Sequence, residues 1–361
     1  MTILEQQPRS EVYQPIARHF DILDPFAFVK DVRTETHRAE KYVLAKAMHA
    51  ELGHATGPFL DLLVKTAKRG VYTRLDLDDY SQSLTDAQFN LAIPFIKDPN
   101  EKAYRQFRKQ MNNKFKQELR QKGIDVRYHK APLGLGKLLP FFGCDHVKAL
   151  VIDEDVAYVG GMNFSDANFL CIDLMIKIKD KHMVEVLTEL IESPLSKDMS
   201  YVFSDGTQFF VDSGSLGKSK VLDADMHALN NTKESFYVSS GFLPDGRFLK
   251  GLEYALRRGV DVRVFAKPSE KKGFNPYRSF LQRTHGQIIK KGIPLFAPNE
   301  QVHAKAFVAD KKIARIGSHN FTSTTQWAQT REFSLQTRSQ HVVNQLLTFF
   351  QELEAESQPL S

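Results

Sequence analysis

The sequence predicts an α/β protein of two similar lobes, each a mixed sheet flanked by helices, related by pseudo-two-fold symmetry. The first observation is a repeat: DHVKALVID at Asp145–Asp153 returns as VHAKAFVAD at Val302–Asp310. Internal repeats of this kind indicate duplicated structural units. The second observation is alternation, because a helical pattern at Leu62–Lys68 precedes a strand pattern at Val71–Leu77.

The repeat extends upstream and sets the expected domains. The interval from Gly70 to His146 is longer than the matching interval from Gly259 to His303, so the first half contains additional residues. Turn-forming residues lie near position 205. We therefore expect a first lobe at 1–205, carrying a basic amphipathic insertion at about 75–122, and a second lobe at 206–361. A helix with apolar residues spaced from Val342 to Leu353 is expected to pack on the second lobe.

The insertion contains a basic helix. The protein has a formal net charge of +6, and the segment from Glu101 to Lys122 contains many more basic than acidic residues. Tyr104, Phe107, Met111, Phe115 and Leu119 recur at helical spacing within it. Two interpretations stay open: a surface helix with a solvated basic face, or a helix that binds anionic lipid or a phosphate backbone.

Composition excludes several classes of protein. The chain has 361 residues, of which 42% are hydrophobic and 25% charged, and it contains two cysteines. These values are typical of a globular protein that needs no disulfides. The sequence shows neither a signal-peptide pattern nor an apolar run long enough to span a bilayer. We expect a cytoplasmic protein whose membrane contact, if it has one, is peripheral.

Each repeat places chemically useful side chains on one face of a strand. Side chains two positions apart in a strand share a face, so His146 lies beside Lys148, and His303 lies beside Lys305. Asp153 and Asp310 are at odd offsets from these histidines. We expect the two aspartates to point to the other face and to be structural.

A tight hairpin would complete each set. With Glu154–Asp155 as a two-residue turn, Asn163 lies opposite His146. The second copy, with Lys311–Lys312 as its turn, places Asn320 opposite His303. The neighbouring small residues would allow a substrate to approach closely and are predicted to bind it: Gly160, Gly161, Gly317 and Ser318.

Two such hairpins facing each other would form an anion pocket. The pocket would hold two imidazoles, two ammonium groups and two amides, which suits a tetrahedral phosphate. One neutral imidazole can attack phosphorus while the second, protonated, donates to the leaving oxygen. The fixed cations would stabilise transition-state charge, so we expect no metal and no cofactor.

The doubled pattern H-x-K-x4-D-x6-G-[GS]-x-N resembles the motif of the phospholipase D superfamily, and the resemblance extends from about Ala39 to Glu332. It implies two α/β lobes with the site at their interface. It also implies that an acidic residue after each motif, Asp173 and Glu332, orients a histidine. Family usage makes His146 the nucleophile and His303 the acid/base, although the symmetry of the motifs leaves this order open. Because both motifs lie in one chain, a monomer is expected to be functional.

The substrate class stays open at this stage. Gly160–Asn163 (GGMN) resembles the cardiolipin synthase branch. The apolar stretch Pro132–Gly143 suits acyl chains near the site, with burial between the lobes as the alternative. Both features favour a phospholipid substrate at an anionic membrane surface, used by a phosphodiesterase or phosphatidyltransferase. Gln329–Glu332 is equally similar to the nuclease branch, which would cleave nucleic acid. A non-catalytic binding protein is the third interpretation, disfavoured because both histidines and both lysines are present.

Overall fold

The computed structural model of the protein describes residues 20–78, 99–129, 143–192, 197–215, 217–268, 276–323 and 330–360. These residues form two mixed sheets flanked by helices, so the predicted α/β fold of two lobes is confirmed. Within the described residues, no helix combines the length and the apolar character needed to cross a membrane. The apolar stretch Pro132–Gly143, which is expected to lie near the site, falls outside the described residues except for its last residue.

The first lobe is built on a seven-stranded sheet with the strand order β1-β7-β6-β5-β2-β3-β4. β2, β3 and β4 are parallel, and the other neighbours pair antiparallel. The elements, in chain order, are β1 (Phe20–Leu23), α1 (Pro25–Arg38), β2 (Tyr42–Ala47), α2 (Gly57–Lys68), β3 (Tyr72–Asp78), α3 (Pro99–Gln121), β4 (Asp125–His129), β5 (Ala149–Ile152), β6 (Val156–Gly160), α4 (Asp166–Phe169), β7 (Met175–Ile178) and α5 (Lys181–Glu192).

The second lobe is built on a nine-stranded sheet with the strand order β16-β12-β11-β10-β13-β14-β15-β9-β8. Its parallel strands β10, β11 and β12 correspond to β2, β3 and β4. The elements are β8 (Met199–Val202), β9 (Gln208–Val211), α6 (Lys220–Asn231), β10 (Ser235–Ser239), α7 (Gly246–Arg257), β11 (Asp261–Phe265), α8 (Pro276–Lys290), β12 (Leu295–Pro298), β13 (Ala306–Ala309), β14 (Ile313–Gly317), β15 (Phe333–Thr337), α9 (Gln340–Ala355) and β16 (Ser357–Pro359).

Two details of the domain organisation differ from the sequence expectation. β8 precedes residue 205 but pairs with β9 in the second sheet, so the division between the sheets falls between Glu192 and Met199. The basic helix α3 links β3 to β4 as α8 links β11 to β12. It is therefore a member of the repeat rather than an added element, and residues 79–98 of the expected insertion lie outside the described residues.

An apolar interface joins the two lobes. One continuous cluster of buried side chains includes Val184 and Leu187 from α5, Val343 and Leu346 from α9, and strand residues of both sheets. The C-terminal helix α9 packs on the second sheet, as expected, and also contacts β1 of the first. Burial of apolar surface is the main stabilising term in such an interface. It fixes the two repeated hairpins relative to each other.

Candidate active site

The hairpin register differs from the two-residue turns predicted from the sequence. Ile152 pairs with Val156, and Ala309 pairs with Ile313, so each turn contains three residues. The expected pairing of His146 with Asn163, and of His303 with Asn320, is therefore wrong by one position. The physical reason is the backbone of the turn, because Asp153 adopts a φ of 49° and leaves the ladder.

The two motif aspartates anchor the backbone of a neighbouring strand. The carboxylate of Asp153 accepts hydrogen bonds from the N–H groups of Glu40, Lys41 and Tyr42 at 2.8–2.9 Å. Asp310 accepts from the N–H groups of Lys233, Glu234 and Ser235 at the same place in the second lobe. These N–H groups lie at the beginning of β2 and β10 and in the two residues before each strand, so the contacts support the structural role that the sequence predicts.

Backbone contacts between the lobes bring the two motifs together. The N–H of His146 donates to the carbonyl of Arg331 at 3.0 Å, and the N–H of His303 donates to the carbonyl of Ile172 at 2.8 Å. Each histidine is thus tied to the residue beside the acidic group of the other lobe. The pairing is reciprocal, which is what a pseudo-two-fold axis requires.

Each acidic residue consequently contacts the histidine of the opposite lobe. Oε2 of Glu332 lies 3.0 Å from Nδ1 of His146, and Oδ2 of Asp173 lies 2.6 Å from Nδ1 of His303. Both carboxylates are fully buried. A carboxylate on Nδ1 fixes the tautomer with the proton on that nitrogen, which leaves the lone pair of Nε2 free toward the pocket. The arrangement gives each imidazole a defined orientation.

The small residues of the motifs make room for these carboxylates. The Ser318 hydroxyl donates to Oε2 of Glu332 and accepts from the N–H of Phe333 at 3.0 Å. The matching residue of the first lobe is Gly161, where an added Cβ would lie 2.5 Å from Oδ1 of Asp173. Ser318 and Gly161 therefore influence the histidines indirectly, because they position or accommodate the carboxylates that contact them. Direct contact of either residue with substrate stays a prediction.

The outer glycines are explained by strand packing. A Cβ at Gly160 would lie 2.3 Å from the carbonyl oxygen of Leu174, and a Cβ at Gly317 would lie 2.3 Å from that of Phe333. Both separations are far below van der Waals contact, so a side chain at either position would push the next strand away. The structure thus gives these glycines a packing role, and their predicted contact with substrate is untested.

The lysines bring positive charge into a buried pocket. Nζ of Lys148 donates to the carbonyl oxygen of His146 at 2.6 Å, and both Lys148 and Lys305 are 1% exposed. Burial lowers the pKa of Lys148 to about 7, with Lys305 nearby adding repulsion and Glu332 opposing the shift. Burial likewise lowers the pKa of Lys305 to about 8. An anion bound between them would restore full protonation.

Burial disfavours the charged form of both histidines, and each histidine favours the ionised form of the carboxylate beside it. Burial lowers the pKa of His303 to about 4, and burial also lowers the pKa of His146 against the attraction of Glu332. Burial alone would raise the pKa of Glu332, but His146 beside it brings that pKa to about 2. The pKa of Asp173 is below its ordinary value for the same reason, with His303 as its partner. Neutral imidazoles backed by carboxylates are suited to nucleophilic attack.

The two asparagines retain unused hydrogen-bonding capacity. Oδ1 of Asn163 and Oδ1 of Asn320 are buried without a hydrogen-bond partner among the described residues. An added Cβ at Gly241 would lie 3.2 Å from Cδ2 of His303 and 3.4 Å from Oδ1 of Asn320, which places Asn320 beside that histidine. Buried polar atoms of this kind are normally satisfied, and because an amide oxygen accepts, a hydroxyl of a bound substrate is a suitable partner for each Oδ1, while each Nδ2 can donate to a phosphate oxygen.

Sequence reasoning missed three contributors to the site. Nδ2 of Asn168 lies 2.9 Å from Nδ1 of His303 as a close neighbour only, since the N–H on Nδ1 is directed at Asp173. An added Cβ at Gly241 would lie 3.2 Å from Cδ2 of the same ring. Asp145 forms buried ion pairs with Lys46 at 2.7 Å and with Arg331 of the other lobe at 3.0 Å. Asp145 and Asn168 lie close to the first motif in the sequence, and this proximity could have indicated them. No sequence pattern marked Gly241.

Both lobes contribute to the site, which contains paired histidines, lysines and asparagines and crossed histidine–carboxylate contacts. The family model described as "Cardiolipin synthase, PLD-like domain" matches residues 35–194 and 226–354. The chain therefore belongs to this family, and the resemblance to the phospholipase D superfamily is confirmed.

Individual relatives agree with this assignment. The chain is 24% identical over 313 residues to a cardiolipin synthase of Alkalihalophilus pseudofirmus, covering 79% of this chain and 55% of that protein. It is 26% identical over 199 residues to a cardiolipin synthase of Listeria monocytogenes, covering 49% of this chain and 41% of that protein. The chain thus spans about half the length of the curated relatives that it matches.

Solved structures share the fold. A phosphatidylserine synthase of Haemophilus influenzae superposes with a TM-score of 0.70 at 12% identity, covering 96% of this chain and 88% of that one. A polyphosphate kinase of Porphyromonas gingivalis superposes with a TM-score of 0.54 at 10% identity, covering 92% of this chain and 46% of that one. At these identities the likeness concerns the fold alone.

Proposed function

We propose that the protein is a metal-independent phosphodiesterase or phosphatidyltransferase that acts on phospholipids through a phosphohistidine intermediate. The observation that carries the proposal is the reciprocal pairing of His146 with Glu332 and of His303 with Asp173. It supplies two oriented imidazoles in one pocket beside two buried lysines. Since each carboxylate comes from the same chain as its histidine, a monomer contains the complete set.

The reaction needs two displacements at phosphorus. Nε2 of one histidine attacks, so that an N–P bond forms and the P–O bond to the first alcohol breaks. The other histidine, protonated when the anionic diester binds, gives its proton to the leaving oxygen. An incoming alcohol or water then passes a proton to that histidine and attacks phosphorus, which breaks the N–P bond. We assign attack to His146 and proton transfer to His303, as family usage implies.

The remaining side chains stabilise charge. Lys148, Lys305 and the two asparagines surround the position of the non-bridging oxygens, where charge builds up in the transition state. Their low exposure strengthens this interaction, because the local dielectric is lower than in water. If an alcohol such as glycerol or phosphatidylglycerol arrives before water, the product is a new diester. If water arrives first, the product is phosphatidic acid.

Membership in the cardiolipin synthase, PLD-like domain family supports a phospholipid substrate, as do two relatives named cardiolipin synthase. The solved structure titled phosphatidylserine synthase agrees in fold. We propose an anionic membrane surface as the place of reaction. A nuclease of the same superfamily is the second candidate, favoured by the basic helix α3, whose charge suits a phosphate backbone as well as lipid headgroups.

The test is a parallel turnover assay in the presence of EDTA, with phosphatidylglycerol vesicles in one tube and single-stranded DNA in another. We expect lipid turnover, and the ratio of cardiolipin to phosphatidic acid separates transfer from hydrolysis. His146→Ala and His303→Ala should each lower turnover by at least about a thousandfold and control for contaminants. Cleavage of DNA without lipid turnover would assign the protein to the nuclease class. Strict dependence on added Mg²⁺ or Zn²⁺ would contradict the metal-independent mechanism.

A further inference from the structure

Apolar side chains are exposed on the first lobe close to the active site. The exposed fraction is 74% for Leu170, 58% for Leu52 and 82% for Phe26. Single exposed apolar residues are common on soluble proteins, whereas a group of them at one place marks an interaction surface. We call these three residues the apolar rim.

Leu170 and Leu52 belong to segments that contact the motif residues. Leu170 follows Asn168 by two residues, and Nδ2 of Asn168 is 2.9 Å from Nδ1 of His303. Leu52 follows Glu51, whose backbone N–H donates at 3.0 Å to the carbonyl of Phe164, the residue after Asn163. Both leucines therefore belong to segments that directly adjoin the motif side chains.

Hydrogen bonds hold these two segments together. The carboxylate of Asp166, at the start of α4, accepts from the N–H groups of His54, Ala55 and Thr56 at 2.7–3.0 Å. Substitution of Gly53 would place a Cβ 2.2 Å from the same carboxylate. The leucines are thus displayed on an ordered surface, which limits the entropy that they lose on binding.

Phe26 lies at the same end of the lobe. β1 ends at Leu23, which pairs with Met175, and Met175 pairs with Gly160 of the first motif. The chain leaves β1 at this level, so Phe26, three residues later, is at the catalytic end of the sheet. The rim therefore has members from three separate segments of the lobe.

The basic helix α3 extends the surface. Phe115 and Leu119 on its apolar face are 9% and 4% exposed, whereas Phe107 and Met111 on the same face are 55% and 43% exposed. A helix that joins two parallel strands runs antiparallel to them, so Phe107 and Met111, which precede Phe115 and Leu119, lie nearer the end where β3 finishes. Asp78, the last residue of β3, accepts from the N–H of Asp145 there at 2.9 Å.

We infer that the apolar rim enters the interfacial layer of an anionic phospholipid bilayer and holds the active site at the depth of the headgroup phosphates. The inference rests on the proposed function. The anionic bilayer is selected by charge complementarity, because α3 combines uncovered apolar residues with excess positive charge. Leucine side chains leave water while basic groups contact the headgroups.

The chain offers a matched control at the other end of the molecule. Val202 is 70% exposed, and it pairs with Gln208, which pairs with Gln336 at the end of β15 away from Glu332. The native cysteines Cys144 and Cys171 are buried, so an introduced exposed cysteine can be labelled selectively. We would label Leu52→Cys, Leu170→Cys and Val202→Cys in the full chain with the environment-sensitive fluorophore NBD.

The vesicles would contain phosphatidylglycerol and phosphatidylcholine, with pure phosphatidylcholine as the neutral comparison. We expect NBD emission at positions 52 and 170 to rise about threefold or more, only on anionic vesicles, and emission at 202 to stay constant. Leu52→Ser with Leu170→Ser should weaken vesicle binding by at least about tenfold, since each leucine loses its transfer out of water. Val202→Ser should change it less than about twofold, and circular dichroism checks the fold of each variant.

The outcomes separate the rim from the proposed function. Constant NBD emission at positions 52 and 170, while the wild-type protein turns over phosphatidylglycerol, would overturn the membrane insertion of the apolar rim but not the proposed function. An equal rise at 202 would overturn the rim as well. A rise in NBD emission at positions 52 and 170, without turnover of phosphatidylglycerol in vesicles or detergent micelles, would support membrane insertion of the apolar rim and overturn the proposed function. Constant emission and no turnover would overturn both.

Discussion

Glu332 of the second lobe holds His146 of the first, with 3.0 Å between Oε2 and Nδ1. Neither lobe therefore contains a complete histidine–carboxylate pair by itself. Asp173 and His303 repeat the relationship in the opposite direction. Since each imidazole depends on a carboxylate across the interface, correct docking of the lobes is a condition of the proposed chemistry.

Glu332→Gln tests this dependence. An amide at this place can present a donor to Nδ1, which would favour the wrong tautomer and remove the lone pair from Nε2. We expect kcat to fall by about a thousandfold or more with the fold preserved, as happens when a triad carboxylate becomes an amide. The measurement is steady-state turnover beside circular dichroism. Full activity would show that the carboxylate is dispensable.

Ser318→Ala is the milder counterpart. It removes the hydroxyl that donates to Glu332 but leaves the carboxylate in place. We expect a loss of kcat of about tenfold, with KM nearly unchanged, because a residue that positions another group acts on the transition state rather than on binding. A large rise in KM at constant kcat would instead show that Ser318 contacts substrate, as the sequence pattern predicts.

Much of the fold and site could be predicted from the sequence because the repeat is explicit. The two lobes, the paired strands and the placement of the site between them follow from Asp145–Asp153 and Val302–Asp310. The crossing of Asp173 and Glu332 could not be predicted, since separation along the chain carries no information about which lobe supplies a partner. That choice depends on the three-dimensional docking of the lobes.

The errors in register have a local cause. A two-residue turn is the common solution for a hairpin, but Asp153 and Asp310 adopt φ values of 49° and 51°. In this conformation, each carboxylate accepts hydrogen bonds from three backbone N–H groups at the beginning of β2 or β10. These tertiary contacts stabilise a longer turn, and sequence periodicity alone does not detect them.

The rate should depend on pH through the buried lysines. With the pKa of Lys148 at about 7 and that of Lys305 at about 8 in the free protein, both lose their charge as pH rises through this range. We expect kcat/KM for a soluble short-chain phosphodiester to decline above about pH 7. The decline of kcat should begin at a higher pH than the decline of kcat/KM, because a bound anion stabilises the protonated lysines. If kcat and kcat/KM declined over the same pH range, the assignment of this pH dependence to the lysines would be contradicted.

The motif aspartates should affect stability more than chemistry. Asp153→Asn retains an oxygen acceptor but weakens charge-assisted bonds to the N–H groups of Glu40, Lys41 and Tyr42. We expect a loss of about 1–3 kcal/mol in the free energy of unfolding, measured by urea denaturation, and turnover within about threefold of the wild type. A fully stable but inactive variant would show that Asp153 takes part in the chemistry.

Asp145 should make the protein sensitive to acid. Its carboxylate lies 2.7 Å from Lys46 and 3.0 Å from Arg331. Burial alone would raise the pKa of Asp145, but the two cations bring it to about 2, below its ordinary value of 3.8. A lowered pKa stabilises the folded state above the ordinary value, and this contribution is lost as pH falls from about 4 through 2.

Asp145→Asn should therefore lower the free energy of unfolding by about 3–5 kcal/mol at pH 7, because Lys46 and Arg331 stay buried opposite a neutral amide. The difference from the wild type should narrow as pH falls from about 4 toward 2, where the wild-type carboxyl becomes protonated. Urea denaturation at several pH values measures both quantities. A difference that is the same at pH 7 and at pH 2 would show that the variant acts through packing, and the ion pairs would then not be what joins the lobes at this point.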